Sequence, residues 1–338
     1  MPPLELDGLT KYYGDVRGVE DLTFDVESGE VFGFLGPNGA GKTTAIRTLM
    51  GFQSPTAGTA SVLGAELTDA DALRRARANV GYLPSEPSFD DHVTGRRILD
   101  YHGALRGDER SAELLELFDP PLDRDVGEYS RGNRQMLAIV IAFMHDPDLL
   151  VMDEPTTGLD PLKQAQFHRF VRDERDRGTT FFFSSHVLSE VRKVCDRVGI
   201  IRDGRLAALE DVESLLERSG KTVRVHAAET LAADDVTLAA AHDVAVTETA
   251  AETADGAATV SFTYTGSYDA LLEWLRGYDL LDLTIEEAPL EAVFMRFYDG
   301  GLDDGASDGG EPSDRGENDE ALSGEGPSDE RPVESGDV

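Results

Sequence analysis

The sequence predicts an α/β fold, followed by a small α+β domain and an acidic tail. Three observations carry this. A short apolar run, Val31-Phe32-Gly33-Phe34-Leu35, leads into the glycine-rich stretch Gly36-Pro37-Asn38-Gly39-Ala40-Gly41-Lys42-Thr43-Thr44 and then into a helix-forming segment stopped by Gly51. Strand-like and helix-like segments alternate from there to Arg202. Beyond Gly220 the pattern changes, and from Asp299 onward the chain is Gly, Ser, Pro and acid with almost no large apolar residues.

Residues 4–9, 18–26 and 31–35 read as strands, with a turn at Ser28-Gly29-Glu30 between the last two. Residues 44–50 read as a helix. A turn at 54–58 precedes a strand at 59–63, a helix at 71–78 and a strand from Val80 that Pro84 ends. From about 88 to 129 the apolar residues take helical spacing: Ile98, Leu99, His102 and Leu105 fall on one face, as do Leu114, Leu115 and Phe118. A further helix at 132–145, N-capped by Ser130, completes an inserted helical subdomain over about 88–145. A strand at 148–152, a long helix at 161–177, strands at 179–184 and 197–202 and a helix at 188–195 finish the α/β core, which is assigned residues 1–218. The accessory domain is assigned 219–298. Strands at 222–226, 243–247, 259–264 and 281–285, a weak helix at 228–240 and a helix at 269–277 give it the β-α-β-β-α-β order of a ferredoxin-like plait, closed by a helix at 290–298. Residues 299–338 are expected to be disordered. No internal repeat is present.

At 338 residues the chain suffices for two domains. The N-terminus lacks the basic start and apolar core of a signal peptide, and the longest apolar candidate, 136–144, is half the length of a membrane span, so a soluble chain is expected. The single cysteine, Cys195, excludes an internal disulfide and a cysteine-based metal site, and suits a reducing cytosol. Among Val191, Val194 and Val198 it reads as a small core residue.

The formal charge is −35, from 66 acidic and 31 basic residues. The tail from 299 holds 14 acids and 2 bases, so the body is acidic as well. Such a balance works against nucleic acid as a partner, because phosphate backbones need clustered positive charge. With only five lysines among the basic residues, the composition resembles that of halophilic proteins, which stay soluble at high intracellular salt. The alternative is an ordinary acidic protein with a disordered tail.

Gly36, Gly41, Lys42 and Thr43 occupy the fixed positions of the pattern G-x-x-x-x-G-K-[ST]. A loop between a buried strand and a helix points its backbone N–H groups and the positive end of the helix dipole at one spot. There Lys42 can reach the β- and γ-phosphates of a nucleotide and Thr43 can hold Mg²⁺. Downstream, the apolar strand 148–152 ends in Asp153-Glu154, which sets Asp153 near the metal and Glu154 near the water that attacks the γ-phosphate. Ser130-Arg131-Gly132-Asn133 opens a capped helix, a second phosphate-binding device. Ser184-Ser185-His186 follows another apolar strand, from whose end His186 could reach the γ-phosphate.

The ordered series GPNGAGKTT, YSRGN, LLVMDEP, TTGLD and SSH, spanning roughly residues 4–218, resembles the ATP-binding subunits of ABC transporters. The resemblance implies a P-loop NTPase of ABC type, with an antiparallel β subdomain and a helical subdomain beside the mixed sheet, and ATP and Mg²⁺ as cofactors. It implies that Tyr13 stacks on adenine and that Asp153 supports Mg²⁺. Glu154 would be the general base or water-orienting residue, a role worth ~10²–10⁴-fold in rate. His186 would contact the γ-phosphate, and Asp160 would lie at a dimer interface. Ser130 and Gly132 would cap the nucleotide held by a second copy of the chain. The site would then be completed only in an ATP-dependent, head-to-tail homodimer.

Two departures stand out. YSRGNRQ differs from the usual LSGGQ at Arg131 and Asn133, a variation familiar in exporter subunits. In Tyr82-Leu83-Pro84-Ser85-Glu86-Pro87, Ser85 stands where the family usually has a glutamine that senses Mg²⁺ and touches the membrane subunit. Ser85 reaches less far, so either Glu86 substitutes or a water fills the gap. The resemblance further implies a transport ATPase, of exporter or ABC-2-like type. It would be cytoplasmic and held at the inner face of the membrane by a separate multi-span permease, docked beside residues 85–89 and the helical subdomain. The C-terminal section resembles the small domain appended to many exporter subunits. The alternative function is a soluble ABC ATPase acting on ribosomes or DNA. Those usually carry two cassettes or a long coiled coil and a basic surface. A non-hydrolysing regulatory subunit conflicts with Glu154.

Overall fold

The computed structural model describes residues 1–228, 231–248 and 258–287. The helix expected at 290–298 and the tail from 299 lie outside them. Strands β1 (Leu4–Tyr13) and β2 (Val16–Val26) form an antiparallel hairpin from Leu4↔Val26 to Tyr13↔Val16, and β3 (Val31–Leu35) follows. Helix α1 (Lys42–Leu49) leads to β4 (Ala57–Val62) and β5 (Ala65–Glu66), which complete an antiparallel sheet ordered β2-β1-β4-β5. In β1 the side chains of Leu4, Leu6 and Leu9 are buried while Glu5 and Asp7 face out, the pattern of a sheet with one covered face.

Next come α2 (Ala70–Ala76), β6 (Val80–Leu83), α3 (Gly95–Arg106), α4 (Ser111–Phe118), α5 (Arg131–Phe143) and β7 (Leu149–Asp153). They are followed by α6 (Pro161–Asp176), β8 (Thr180–Ser185), α7 (Leu188–Val194), β9 (Arg197–Arg202), β10 (Arg205–Asp211) and α8 (Val212–Ser219). The second sheet runs β10-β9-β3-β8-β7-β6, parallel except for the β9–β10 hairpin. Burial on both faces explains the continuous apolar runs of its central strands. In β8 the alternation is visible residue by residue. Phe182 packs with Phe24, Phe32 and Phe34 between the two sheets, while Phe181 and Phe183 join Phe143, Phe167 and Phe170 beneath the helices.

Most sequence expectations recur within a residue or two. Cys195 is buried, with the position of a Cβ on Gly33 only 3.0 Å from its sulfur, so it is a core residue. One face was misread: Ile98 and Leu99 are buried, but Leu105 is exposed. At that end of α3 the contact to the sheet is made by the long side chain of Arg106, whose guanidinium donates to the Val80 carbonyl at 3.1 Å.

Residues β11 (Lys221–Ala227), β12 (Ala241–Glu248), β13 (Ala258–Tyr264), α9 (Tyr268–Leu275) and β14 (Leu280–Glu287) build a third, antiparallel sheet ordered β12-β13-β11-β14. Each of its two crossovers skips one strand, as a split β-α-β plait requires. The expected helix at 228–240 is replaced, among the described residues, by a single 3-10 turn at Ala233–Asp235. There the Asp235 carboxylate accepts the Ala232 N–H at 2.8 Å, a local bond that competes with helix formation.

Candidate functional site

β3 is buried along its whole length and pairs in parallel with β8 and β9, so the loop leaving Gly36 opens at the edge of the sheet where β7 and β8 also end. At Gly41 φ is +110°, and a Cβ would stand 2.5 Å from the Gly18 carbonyl oxygen. Only glycine lets the loop lean this closely on β2. Gly41 is also the N-cap of α1 and offers no side chain to the first-turn amides, leaving that end of the helix to a ligand.

Beside the loop is a cleft of about 300 Å³. Tyr13, Val16, Arg17 and Gly18 of the β1–β2 hairpin line one side, and Asn38, Gly39, Gly41 to Thr44 and Glu154 the other. Tyr13 is held by its hydroxyl, which donates to Gln53 Oε1 at 2.7 Å, and the Lys11 ammonium lies 5.4 Å from its ring centre. Gln53 is fixed in turn by bonds to the Thr44 carbonyl and the Thr48 hydroxyl, 3.0 and 2.8 Å. The cleft therefore offers a flat apolar ring at one end and amides with a cation at the other.

Lys42 is 6% exposed. Its Nζ donates to the carbonyls of Gly36 (2.7 Å) and Pro37 (3.1 Å) and lies 3.6 Å from Glu154 Oε1. Burial pulls its pKa below the ordinary lysine value, and the Glu154 and Asp153 carboxylates oppose that pull. Asp153 is equally buried; one oxygen accepts the Thr43 hydroxyl at 2.9 Å and the other the Ser184 hydroxyl at 2.5 Å. A hydroxyl and a carboxylate side by side are hard oxygen donors. They fit Mg²⁺, which takes one or two protein ligands and completes its shell with water and phosphate. No cluster of three or more His, Cys, Asp or Glu exists among the described residues that would hold a metal without such help.

Glu154 has φ +49°. Among the described residues, five of the seven non-glycine residues with positive φ are aspartates, which tolerate that region, so Glu154 is held there against preference. Its N–H donates to the Ser184 carbonyl at 3.1 Å and approaches the Ser184 hydroxyl at 3.3 Å. This sets the carboxylate between Lys42 and His186, whose Nδ1 is 3.0 Å from Glu154 Oε1.

Tyr13, the 36–44 loop, Asp153, Glu154 and His186 are thus brought together. Ser130, Gly132 and Asp160 are not among the cleft's lining residues. Ser130 N-caps α5, accepting the Asn133 N–H at 3.2 Å, and Gly132 packs on Gly158, where a Cβ would meet the Gly158 carbonyl oxygen at 2.9 Å. Asp160 N-caps α6 by accepting the Lys163 N–H at 2.9 Å. Ser85 is half-buried beyond the end of β6 and does not line the cleft either, while Glu86 is exposed. The polar side chain of β6 that feels the Asp153 charge is Tyr82, whose pKa is raised by burial first and by that carboxylate second. Sequence reasoning missed Gln53 and the Asp153-binding role of Ser184. Gln53 has no motif to mark it, whereas Ser184 lies in the quoted SSH.

The family profile described as ABC transporter matches residues 19–157. The bacitracin transport ATP-binding protein BcrA of Bacillus licheniformis is 34% identical over 307 residues, covering 87% of this chain and 96% of BcrA. The Nod factor export ATP-binding protein I of Neorhizobium galegae is 34% identical, covering 87% of this chain and 84% of its own. Among solved structures, an ATP-binding subunit of an ABC transporter aligns with TM-score 0.58 at 30% identity, covering 64% of this chain and 92% of that one. The fold is also that of a dimeric ATP-binding cassette bound to ADP and Pi, with TM-score 0.56 at 20% identity, 62% of this chain and 98% of that one being covered. The chain belongs to the ABC transporter family, among its ATP-binding cassettes.

Proposed function

We propose that this chain binds and hydrolyses ATP to power an exporter whose membrane-spanning part is a separate protein. No described helix is long and apolar enough to cross a membrane, so the translocation path falls to a partner. Relatives covering most of the chain are named for bacitracin transport and Nod factor export, which supports export over work on ribosomes or DNA.

The observation that carries the reading is Glu154, held in a strained backbone conformation between a buried lysine and a histidine at the mouth of a phosphate-shaped loop. Tyr13 stacks on the base. The loop amides from Gly36 through Thr44 and the Lys42 ammonium hold the phosphates. Thr43 and Asp153 hold Mg²⁺, which when bound supplies charge to offset the phosphate oxygens. Ser85 would reach that metal only through a water, or Glu86 would take its place, since the Ser85 side chain does not line the cleft. Glu154 orients the attacking water and takes up its proton, and His186 holds both Glu154 and the γ-phosphate. Phosphoryl transfer depends on positioning and charge, and one chain supplies only part of both. Ser130 and Gly132 close the cleft of a second copy, with Asp160 at the interface, and hydrolysis releases the pair. We assign residues 1–218 to this cassette and 219–298 to an accessory domain.

The test is affinity purification of the tagged chain from detergent-solubilised membranes. A multi-span membrane protein with ATP hydrolysis in the same fraction is expected. Ribosomes or DNA in its place would overturn the export reading.

A further inference from the structure

We propose that Glu190 is a positioning residue for the Glu154–His186 pair, an inference that rests on the roles assigned to those two residues above. Glu190 sits in the first turn of α7 and is 8% exposed. Its two carboxylate oxygens are each taken by a buried hydroxyl. Oε1 accepts the Thr156 hydroxyl, and Oε2 accepts the Ser185 hydroxyl at 2.8 Å. Ser185 Oγ in turn accepts the Val187 N–H at 2.9 Å.

The partners' places in the chain give this arrangement its meaning. Thr156 comes two residues after Glu154, and Ser185 comes immediately before His186. One side chain therefore bridges the turn that carries the carboxylate and the turn that carries the imidazole. Glu190 itself does not line the cleft. The same two segments are also joined by the β7–β8 ladder, which ends at Asp153↔Ser184, and by the bonds of Ser184 to Asp153 and to the Glu154 N–H. Hydrogen bonds to a carboxylate are stronger than those between neutral groups, and the Glu190 bridge extends that kind of link past the end of the ladder, to Thr156 beyond Glu154 and to Ser185 beside His186. It keeps His186 Nδ1 and Glu154 Oε1 at the same oriented contact before nucleotide arrives and after it leaves.

Both hydroxyls donate, so the bridge needs two acceptors. Glu190→Gln keeps the size but replaces one acceptor oxygen by an NH2 group, so one hydroxyl must turn from donating to accepting and the carboxylate's stronger hold on that turn is lost. Because Glu190 touches neither the loop nor the cleft, the loss falls on the chemical step and not on nucleotide binding.

Steady-state ATPase assays of the full chain test this. Glu190→Gln is expected to lower kcat about 10- to 100-fold, the scale of a misplaced reacting group. KM for ATP should stay within about twofold, because uniform binding is untouched. In a His186→Ala background the same substitution should cost less than about threefold, since residues acting as a unit are not additive. Thr156→Val removes one arm of the bridge while leaving the carboxylate, and should reproduce part of the kcat loss if Glu190→Gln does not fold. The proposal is overturned if kcat of a folded Glu190→Gln or Thr156→Val variant matches wild type. It is also overturned if the fractional loss is the same without His186, or if activity returns when the assay is run well below the variant's melting temperature. A wild-type chain that does not hydrolyse ATP would contradict the proposed function itself, whatever Glu190 does.

Discussion

One buried guanidinium, Arg110 at the start of α4, ties that helix to α6, and cutting the tie has a calculable cost. Arg110, 7% exposed, makes two hydrogen bonds of 2.5 and 2.7 Å to Glu174 of α6, itself 4% exposed. Its remaining partners, Glu113 at 3.0 Å and Asp146 at 3.1 Å, are half-exposed or more. The Arg110 pKa is raised, chiefly by the Glu174 bond. Removing one partner of a buried pair costs about 3–5 kcal/mol, because the other is left charged and unpaired. Glu174→Leu should fall at the low end, about 3 kcal/mol, since Glu113 and Asp146 remain for Arg110. Arg110→Met should cost no less, because Glu174 then keeps only Arg177, at 3.1 Å and largely exposed. The double variant should return to within about 1 kcal/mol of wild type, as buried pairs replaced by apolar residues of similar volume commonly do. Urea denaturation followed by far-UV circular dichroism reads this as a shift in midpoint at constant slope. The lone tryptophan, Trp274, belongs to α9 of the third sheet and would report the wrong region. Single variants that cost less than about 1 kcal/mol, or a double variant as damaged as the two singles combined, would refute this reasoning.

Two further expectations concern the loop and the surface. A Cβ at Gly39 would meet nothing within 4 Å, so Gly39→Ala should cost only the strain of φ +83°, about 1 kcal/mol, and leave ATP binding measurable. Gly41→Ala should abolish binding through its 2.5 Å clash with the Gly18 carbonyl, and equal losses of ATP affinity in the two variants would contradict the close approach to β2. From the charge of −35, ATPase activity should be higher in molar KCl than in dilute buffer; loss of fold on adding salt would remove the halophilic interpretation.

Much of this site was legible because its chemistry forces local signatures. A loop that wraps phosphate needs glycine at fixed places, and a carboxylate pair at the end of a buried strand follows a run such as Leu149 to Met152. The strands missed were those whose signal is weak on its own. β10 is a half-exposed edge strand without β-branched residues, and its burial alternates without a strong apolar face. The Asp203-Gly204 dipeptide, both residues with positive φ between Arg202 and Arg205, was the available hairpin marker. At 228–240 the alanines suggested helix, but Asp234, Asp235, Val236 and Thr237 favour caps, turns and strands, and the turn won. Gln53 and Glu190 were illegible for a different reason. Each acts by touching residues from other segments, Tyr13 across 40 positions and Thr156 across 34, and nothing in the linear sequence marks such a meeting.

The central claim is that one chain holds half a site, with Ser130 and Gly132 serving the nucleotide of a second copy. Glu154→Gln, which keeps the shape but removes the base, should bind Mg²⁺-ATP and accumulate as a stable dimer on size-exclusion chromatography with light scattering. The same protein should be monomeric without nucleotide, and adding Ser130→Arg should prevent the dimer while leaving ATP binding intact. A Glu154→Gln protein that binds ATP and stays monomeric would contradict the account.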